Sequence, residues 1–562
     1  MKSIAISGLT GQGIETAGEI LSSVVNKLGY SHRSWRDFST IIRGGQTLFE
    51  MYIAENDDEL PPPRMEKIDL AVVWDNEGAL RYETRVKDQS MLFGSTKATS
   101  LLIENQEDVP NLGYNVWSLG LISGYLGISF EIVQLEVAAR FKGDKNVELL
   151  KIGYQEGQKI EIEKPLTDKL SENIIISGND ALCLGAIAGD VRHYYGYPIT
   201  PASEILENFF KWLPDLGGNA YQVEDEIAAI HAALGCSFAG KRTFVATSGP
   251  GLALMTEGIS YAAATELPLV IIDNQRGGPS TGMPTKTEQS DLLHLKHAGH
   301  GEFARILLTP TSVIDCIVTI GEALNLADYY QCPVLIALDL DLALRNISVP
   351  WSTVEKAINS IVVDRGPTIT DLSKQLEGYV RYQPGADGSP PLRSIPGIAG
   401  GAYVASGDEH DERGLMEPNF MEVRQTLHKR RLHKADHINY DRPFTQIGNP
   451  EAPTIIIGTG SIGELIEDFV MNHPDDFGGL LIRQLVPVPS EELSKALSNA
   501  EKVIVAEYNA RGQIRTMIKD VLTDKKTFSL LRFDGEHYTN EEFVDSINNL
   551  LHEEEVKEIY QS

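Results

Sequence analysis

Two rhythms alternate along the chain. Short apolar runs at residues 3–7, 71–74, 91–93, 173–177, 268–273, 334–340, 454–457, 479–483 and 502–507 are separated by glycine-rich turns and by small-residue or amphipathic stretches. An uninterrupted apolar run of roughly four to eight residues marks a strand covered on both faces, and the amphipathic stretches supply the covering helices. Strand–helix alternation of this kind predicts an α/β fold. The rhythm runs in three blocks, residues 1–165, 173–345 and 446–562, which we read as three domains: an α/β sandwich, a doubly wound domain and a second α/β domain. Residues 346–445 lack clean periodicity and read as a connector, with a loop at 385–391.

The densest local pattern lies between Gln222 and Gly251. Glu224 and Glu226 open an Ala-rich helix whose tight face ends at Gly235, residues 241–246 form a short buried strand, and Thr247-Ser248-Gly249-Pro250-Gly251 turns from that strand into a helix. Helix N-termini favour carboxylates through their unpaired N–H groups and the macrodipole, so capping is one account of both glutamates. The other is a site. A carboxylate, a small-residue helix that permits close approach and a glycine-rich loop at the carboxyl end of a parallel strand suit a bound cofactor.

Upstream, Tyr195-Gly196-Tyr197-Pro198-Ile199-Thr200-Pro201-Ala202-Ser203-Glu204 sets Thr200 between two prolines, which hold the backbone extended and direct its hydroxyl. The same run suits a helix start, with Pro201 in the first turn and Glu204 completing a cap. Downstream, the apolar run 268–273 leads into Arg276 and a hydroxyl-rich loop to Asp291. A guanidinium at the carboxyl end of a parallel strand suits bidentate carboxylate binding; pairing with a neighbouring acid is the plainer alternative. Thr281, Thr285 and Lys286 are the loop side chains that could touch a ligand. His294, His297 and His300 recur every third residue, a spacing that drifts around a helix, and no carboxylate completes a set, so no metal ligands are assigned here.

At the amino end, residues 3–7 lead into Gly8-Leu9-Thr10-Gly11-Gln12-Gly13 and an amphipathic helix, the layout of a phosphate-cradling loop; Ser39 to Gly45, with Arg43 and Gly44, follows. Such a loop also serves packing alone.

Composition narrows the classes. The 562 residues carry a formal charge of -30, which argues against nucleic acid, against an anionic membrane surface and against an acidic electron carrier docking directly on this chain. The four cysteines are far apart in sequence and form no CxxC pair, so they read as reduced core thiols of a cytoplasmic protein rather than cluster or zinc ligands. The first residues are too short an apolar run for a signal peptide, and no stretch is long enough to span a membrane. The basic run at residues 424–434 reads as a solvated helix face, with contact to a phosphate or a partner as the alternative.

Tyr197-Pro198-Ile199-Thr200-Pro201, the Glu226 helix and the Ser248–Gly251 loop together resemble the alpha subunit of 2-oxoacid:ferredoxin oxidoreductases, and the Gly8–Gly18 segment resembles the gamma domain of the same family. Residues 446–562, with Glu507-Tyr508-Asn509, resemble the C-terminal domain of transketolase-type enzymes. The resemblance implies a gamma-type α/β sandwich, a thiamin diphosphate pyrimidine-binding domain and a transketolase C-terminal-like domain. It places Glu226, with Glu224 as the alternative, on the thiamin ring. Tyr197, Pro198, Ile199, Thr200, Ser248 and Gly249 would line the cofactor, while Thr200, Arg276 and Thr285 would hold the 2-oxoacid. Gly8, Gly11, Gln12, Gly13, Arg43 and Gly44 would serve coenzyme A or form the gamma-domain loop; Thr10 stands where the family pattern has glycine.

No Gly-Asp-Gly motif occurs, and Mg²⁺ requires hard oxygen ligands of that kind. The chain is therefore expected to hold half of a thiamin site. A beta subunit would supply the Mg²⁺–diphosphate half, a [4Fe-4S] cluster and the ferredoxin contact, as a heterodimer or a dimer of heterodimers. The implied reaction is oxidative decarboxylation of a 2-oxoacid with coenzyme A, 2-oxoglutarate foremost and yielding succinyl-CoA. Pyruvate or branched-chain substrates are the near alternative, and a non-catalytic nucleotide-binding scaffold the distant one.

Overall fold

Apolar runs become strands wherever both of their faces can be covered. The computed structural model describes residues 1–38, 45–54, 60–94, 105–106, 113–141, 143–161, 164–167, 169, 172–383, 389–416, 420–552 and 558–561. The chain forms two compact units: Met1–Ser177 with Leu344–Glu355 and Tyr538–Asp545, and Gly178–Ala343 with Lys356–His537 and Ser546–Ser562.

In the first unit, Lys2–Leu9 lies at the centre of an eight-stranded mixed sheet, parallel to Leu70–Val73 and antiparallel to Gln46–Ile53. Ile4 and Ile6 join a cluster with Ile14, Leu21 and Trp117, whereas Ala5 points to the other face with Tyr52, Val73 and Tyr82. Both faces are covered, which is why the run shows no polar alternation. Asn346–Pro350 lies within the stretch that lacks periodicity, yet it is a strand of this sheet, between His32–Phe38 and Asn173–Ile176. Its five residues are too few to show a period. The helices Tyr114–Tyr125 and Asp144–Gly157 touch through Gly120, Gly124, Gly153 and Gly157, where any Cβ would strike the backbone of the opposite helix.

The second unit carries two larger sheets. One runs Phe244–Thr247, Leu269–Gln275, Pro333–Asp339, Ile306–Leu308, all parallel, and ends on the antiparallel Gln484–Val486. In the other, Thr454–Gly458 is flanked by Phe477–Ile482 and by Lys502–Glu507 with Lys526–Arg532. One hydrophobic core joins them, running from Ala229, Ile230 and Ile271 to Ile455, Ile482 and Val503.

The basic run departs from its expected place on a solvated face. Arg431 and Lys434 are buried, and Arg430 and Lys434 both pair with the fully buried Glu266, while Arg424 and Arg431 pair with Glu409. Glu266 ends the helix Thr256–Thr265 inside the protein, and a carboxylate there has to be compensated.

Candidate functional site

Asp225 caps the helix Glu226–Phe238, accepting the backbone N–H of Ala228 at 2.7 Å. The capping role expected of the glutamates thus falls on their neighbour. Glu224 lies outside the helix and is exposed, whereas Glu226 is 7% exposed at the first helical position. The helix runs on past Gly235, and a Cβ at Gly235 would meet nothing within 4 Å, so close approach is not that glycine's role. It is the role of Gly251, where an added Cβ would stand 2.7 Å from Oε1 of Glu226.

The loop that bears Gly251 opens the helix Gly249–Leu254. Ser248 occupies its N-cap position, fully buried, and its hydroxyl has no hydrogen-bond partner among the described residues. A Cβ at Gly249 would meet Oδ2 of Asp291 at 2.6 Å. Glu226 and Asp291 therefore converge on one glycine-rich turn at the carboxyl end of Phe244–Thr247.

The neighbouring strand extends to Gln275, two residues beyond the expected end, with Asp273, Asn274 and Gln275 all buried. Asn274 donates to Oδ1 of Asn179 (3.0 Å), and Asn179 donates to the carbonyl of Pro201 (2.9 Å), tying the Tyr197–Pro201 run to this strand. Arg276, buried just past the strand, donates to the carbonyl of Thr200 at 2.7 Å. The Thr200 atom engaged within the chain is thus its carbonyl oxygen. The helix Ser203–Trp212 has no side-chain cap; Glu204, expected to supply one, instead accepts a bond from Asn179 at 3.4 Å. Tyr197 and Pro198 are exposed and Ile199 is half-buried.

Charge is concentrated here. Burial pushes Asp291 up to about 6, against the pull of Arg276. Burial and the nearby Asp291 push Asp273 well above the usual carboxylate range. Sequence alone does not single out Asp273, which reads as the polar end of an apolar strand; the clue is an acid inside a run otherwise buried on both faces. The loop beyond Arg276 folds back, with Gly277 N–H donating to the carbonyl of Lys286 (2.9 Å). Gln289 pins it to Asp339 (3.0 Å) and to the carbonyl of Thr459 (2.8 Å). Lys286 pairs with Glu536, Thr285 is half-buried and Thr281 exposed.

A separate cavity of about 510 Å³ is lined by Glu257, Glu302, Asp408, Glu409, Arg424 and Arg431, among others. Four carboxylates against two guanidinium groups leave it ill suited to a polyphosphate.

In the first unit, Gly11 and Gly13 take positive φ (92° and 76°) at the start of the helix Ile14–Lys27. Gly8 lies in the preceding strand and Gln12 accepts the N–H of Leu9 at 2.7 Å. Thr10 donates through N–H and Oγ1 to the carbonyl of Gly45 (2.8 and 2.9 Å). Arg43 and Gly44 lie outside the described residues.

Residues 184–365 match the family described as pyruvate flavodoxin/ferredoxin oxidoreductase, thiamine diphosphate-binding. Residues 3–156 match pyruvate ferredoxin/flavodoxin oxidoreductase, and residues 452–543 pyruvate:ferredoxin oxidoreductase core domain II. The chain is 33% identical over 386 residues to the 2-oxoglutarate synthase subunit KorA of Methanothermobacter thermautotrophicus, covering 67% of this chain and 99% of that protein. It is 28% identical over 623 residues to the 2-oxoacid:ferredoxin oxidoreductase subunit alpha of a Sulfolobus species, covering 97% of this chain and 96% of that one. Among solved structures, it is similar to the 2-oxoglutarate:ferredoxin oxidoreductase of Magnetococcus marinus, which holds 2-oxoglutarate, coenzyme A and succinyl-CoA. That similarity has a TM-score of 0.83 and 27% identity, over 98% of this chain and 99% of that one.

Proposed function

The chain belongs to the 2-oxoacid:ferredoxin oxidoreductase family, and on that premise we propose that it is an alpha subunit, with the gamma domain fused, that works with a beta subunit in the cytoplasm. The complex converts a 2-oxoacid and coenzyme A to acyl-CoA and CO₂, passing two electrons to ferredoxin. 2-Oxoglutarate is the substrate we favour, because the relative aligned over 99% of its length is a 2-oxoglutarate synthase subunit.

The observation that carries this reading is the buried Glu226 carboxylate set against Gly251, with Arg276 at the carboxyl end of the adjacent strand. These residues fit thiamin diphosphate: a buried acceptor for a ring N–H beside a turn with no Cβ at Gly249 or Gly251, and the unpartnered Ser248 hydroxyl close by. The bound cofactor supplies the carbanion chemistry. Glu226 would share one proton with a nitrogen of its aminopyrimidine ring, donating it as the acid and accepting the ring N–H as the carboxylate, and the proton's position tunes that ring. Arg276 would pair with the substrate's C1 carboxylate, held in place by its bond to Thr200. Tyr197, Pro198 and Ile199 would close over the cofactor, and Thr285 would line the substrate. The Gly8–Gly13 loop, with Arg43 and Gly44, would contribute to coenzyme A binding. The beta subunit would carry Mg²⁺, the [4Fe-4S] cluster and the ferredoxin contact.

The test is reduction of a viologen dye by the purified complex with 2-oxoglutarate or pyruvate, with and without coenzyme A, in wild type and Glu226→Gln. Coenzyme A-dependent turnover on 2-oxoglutarate that collapses in the variant is expected. Preference for pyruvate would overturn the substrate assignment, and full activity of Glu226→Gln would overturn the role given to Glu226.

A further inference from the structure

The charges around Arg276 do not balance. Arg276 is 7% exposed; Nη1 bonds the uncharged carbonyl of Thr200, and Nε has no partner among the described residues. Two carboxyl groups act on it, Asp291 and then Asp273. Asp273 is fully buried in Leu269–Gln275, and neither of its oxygens has a hydrogen-bond partner among the described residues. Asp291 is half-buried against Gly249, its N–H held by Oε1 of Gln275 at 3.1 Å. Two more acids stand nearby: the buried Glu288 from the loop before Asp291, which Asp291 acts on, and Glu226, set against Gly251 in the same glycine turn. Among the described residues, Arg276 is the only cation that acts on Asp273 and Asp291.

One guanidinium beside two buried carboxyl groups can compensate only one of them in its ionised form. A substrate carboxylate seated on Arg276 would add another in the same buried space, where like charges cannot all persist. We propose that Asp273 and Asp291 form a proton-accepting pair that takes up one proton from solvent as a 2-oxoacid carboxylate binds Arg276, and returns it when that carboxylate departs as CO₂. This rests on the function proposed above, in which Arg276 holds the C1 carboxylate. On binding, the carboxylate neutralises the guanidinium whose charge acts on Asp291, and the proton settles on Asp291. When the C1–C2 bond breaks, its electron pair stays with the rest of the substrate and C1 leaves as neutral CO₂. Arg276 then pulls on Asp291 again, and the proton returns to solvent. The free protein is poised for this. Burial and the neighbouring acid raise Asp273 well above the usual carboxylate range, and burial brings Asp291 to about 6, so near neutrality Asp291 is mostly ionised until substrate arrives.

Proton uptake can be counted directly. Glutarate has both carboxylates of 2-oxoglutarate but no keto group, so it binds without being decarboxylated. Calorimetric titration of glutarate into the alpha–beta complex, at about pH 7.5 in two buffers of different ionisation enthalpy, is expected to show uptake of most of one proton in wild type. Asp291→Asn should abolish it, and Asp273→Asn should change it as well, which keeps the test open if one variant fails to fold. For 2-oxoglutarate, kcat/KM in wild type should fall about tenfold per pH unit on the alkaline side, and Asp291→Asn should flatten that limb. No proton uptake in wild type, the same uptake in Asp291→Asn, or no glutarate binding by a complex that turns over 2-oxoglutarate would overturn the proposal. Glu226→Gln separates this from the functional reading: full activity there would sink that reading, whereas absent proton uptake in wild type or its persistence in Asp291→Asn would sink this proposal alone.

Discussion

Glu226 and Gly251 fit together because Gly251 has no side chain: a Cβ there would stand 2.7 Å from Oε1 and 2.8 Å from Cγ of the glutamate, and would also strike Oγ1 of Thr247. Thr247 is fixed in a fully buried strand, so the glutamate is the side that must yield. Gly251→Ala is expected to displace the carboxylate and lower turnover by roughly one to two orders of magnitude. Glu226→Gln should cost about 10²–10⁴-fold. Dye reduction paired with a thermal melt distinguishes lost chemistry from lost fold.

The helices Tyr114–Tyr125 and Asp144–Gly157 approach as closely as their glycines allow, and a Cβ at Gly157 would run into the carbonyl oxygen of Leu121. Gly157→Ala forces backbone apart rather than a flexible side chain, and should destabilise the first unit by about 1–3 kcal/mol. Gly235→Ala is the opposite case: an exposed helical position with open space around it, where alanine should stabilise by about 0.5–1 kcal/mol. Denaturant midpoints of the two variants should move in opposite directions.

Glu266 carries the only negative charge in its immediate ion pairs with Arg430 and Lys434. Burial raises its pKa, but Lys434, Arg430 and Arg381 overcome this and hold the carboxyl well below the usual range. Glu266→Gln would leave the buried Lys434 and the half-buried Arg430 uncompensated, a loss expected to be about 3–5 kcal/mol. An unchanged melting temperature would refute this.

His32 is fully buried, and burial lowers its imidazole to about 4, only partly offset by the nearby backbone of Tyr30. A base whose folded pKa is depressed binds fewer protons folded than unfolded. Its contribution is therefore present above about 6.5 and is lost as the pH falls from about 6.5 to 4, up to roughly 3 kcal/mol. His32→Phe should flatten that part of the stability–pH curve of the first unit. An equally steep curve in the variant would assign the acid sensitivity to other groups.

Sequence by itself carried whatever depends on neighbours a few residues apart. The strands at the Phe244–Thr247 and Pro333–Asp339 positions, the strand-to-helix glycine turn at Ser248–Gly251 and the Tyr197–Pro201 run could be read because a strand's period, a proline's fixed φ and a glycine's freedom are local properties. What depends on the sum of distant charges could not be read. Asp225 and Glu226 are adjacent acids at one helix start, and only the fold turns one into a cap and buries the other. Asp273 and Asp291 lie 18 positions apart and meet Arg276 only because a parallel strand and a returning loop bring them together. Arg430 and Lys434 read as solvated because the partner that draws them inside, Glu266, stands more than 160 residues earlier. Periodicity decides where backbone hydrogen bonds close. The burial of a charge is decided by every element that packs around it, and that information exists only in the tertiary structure.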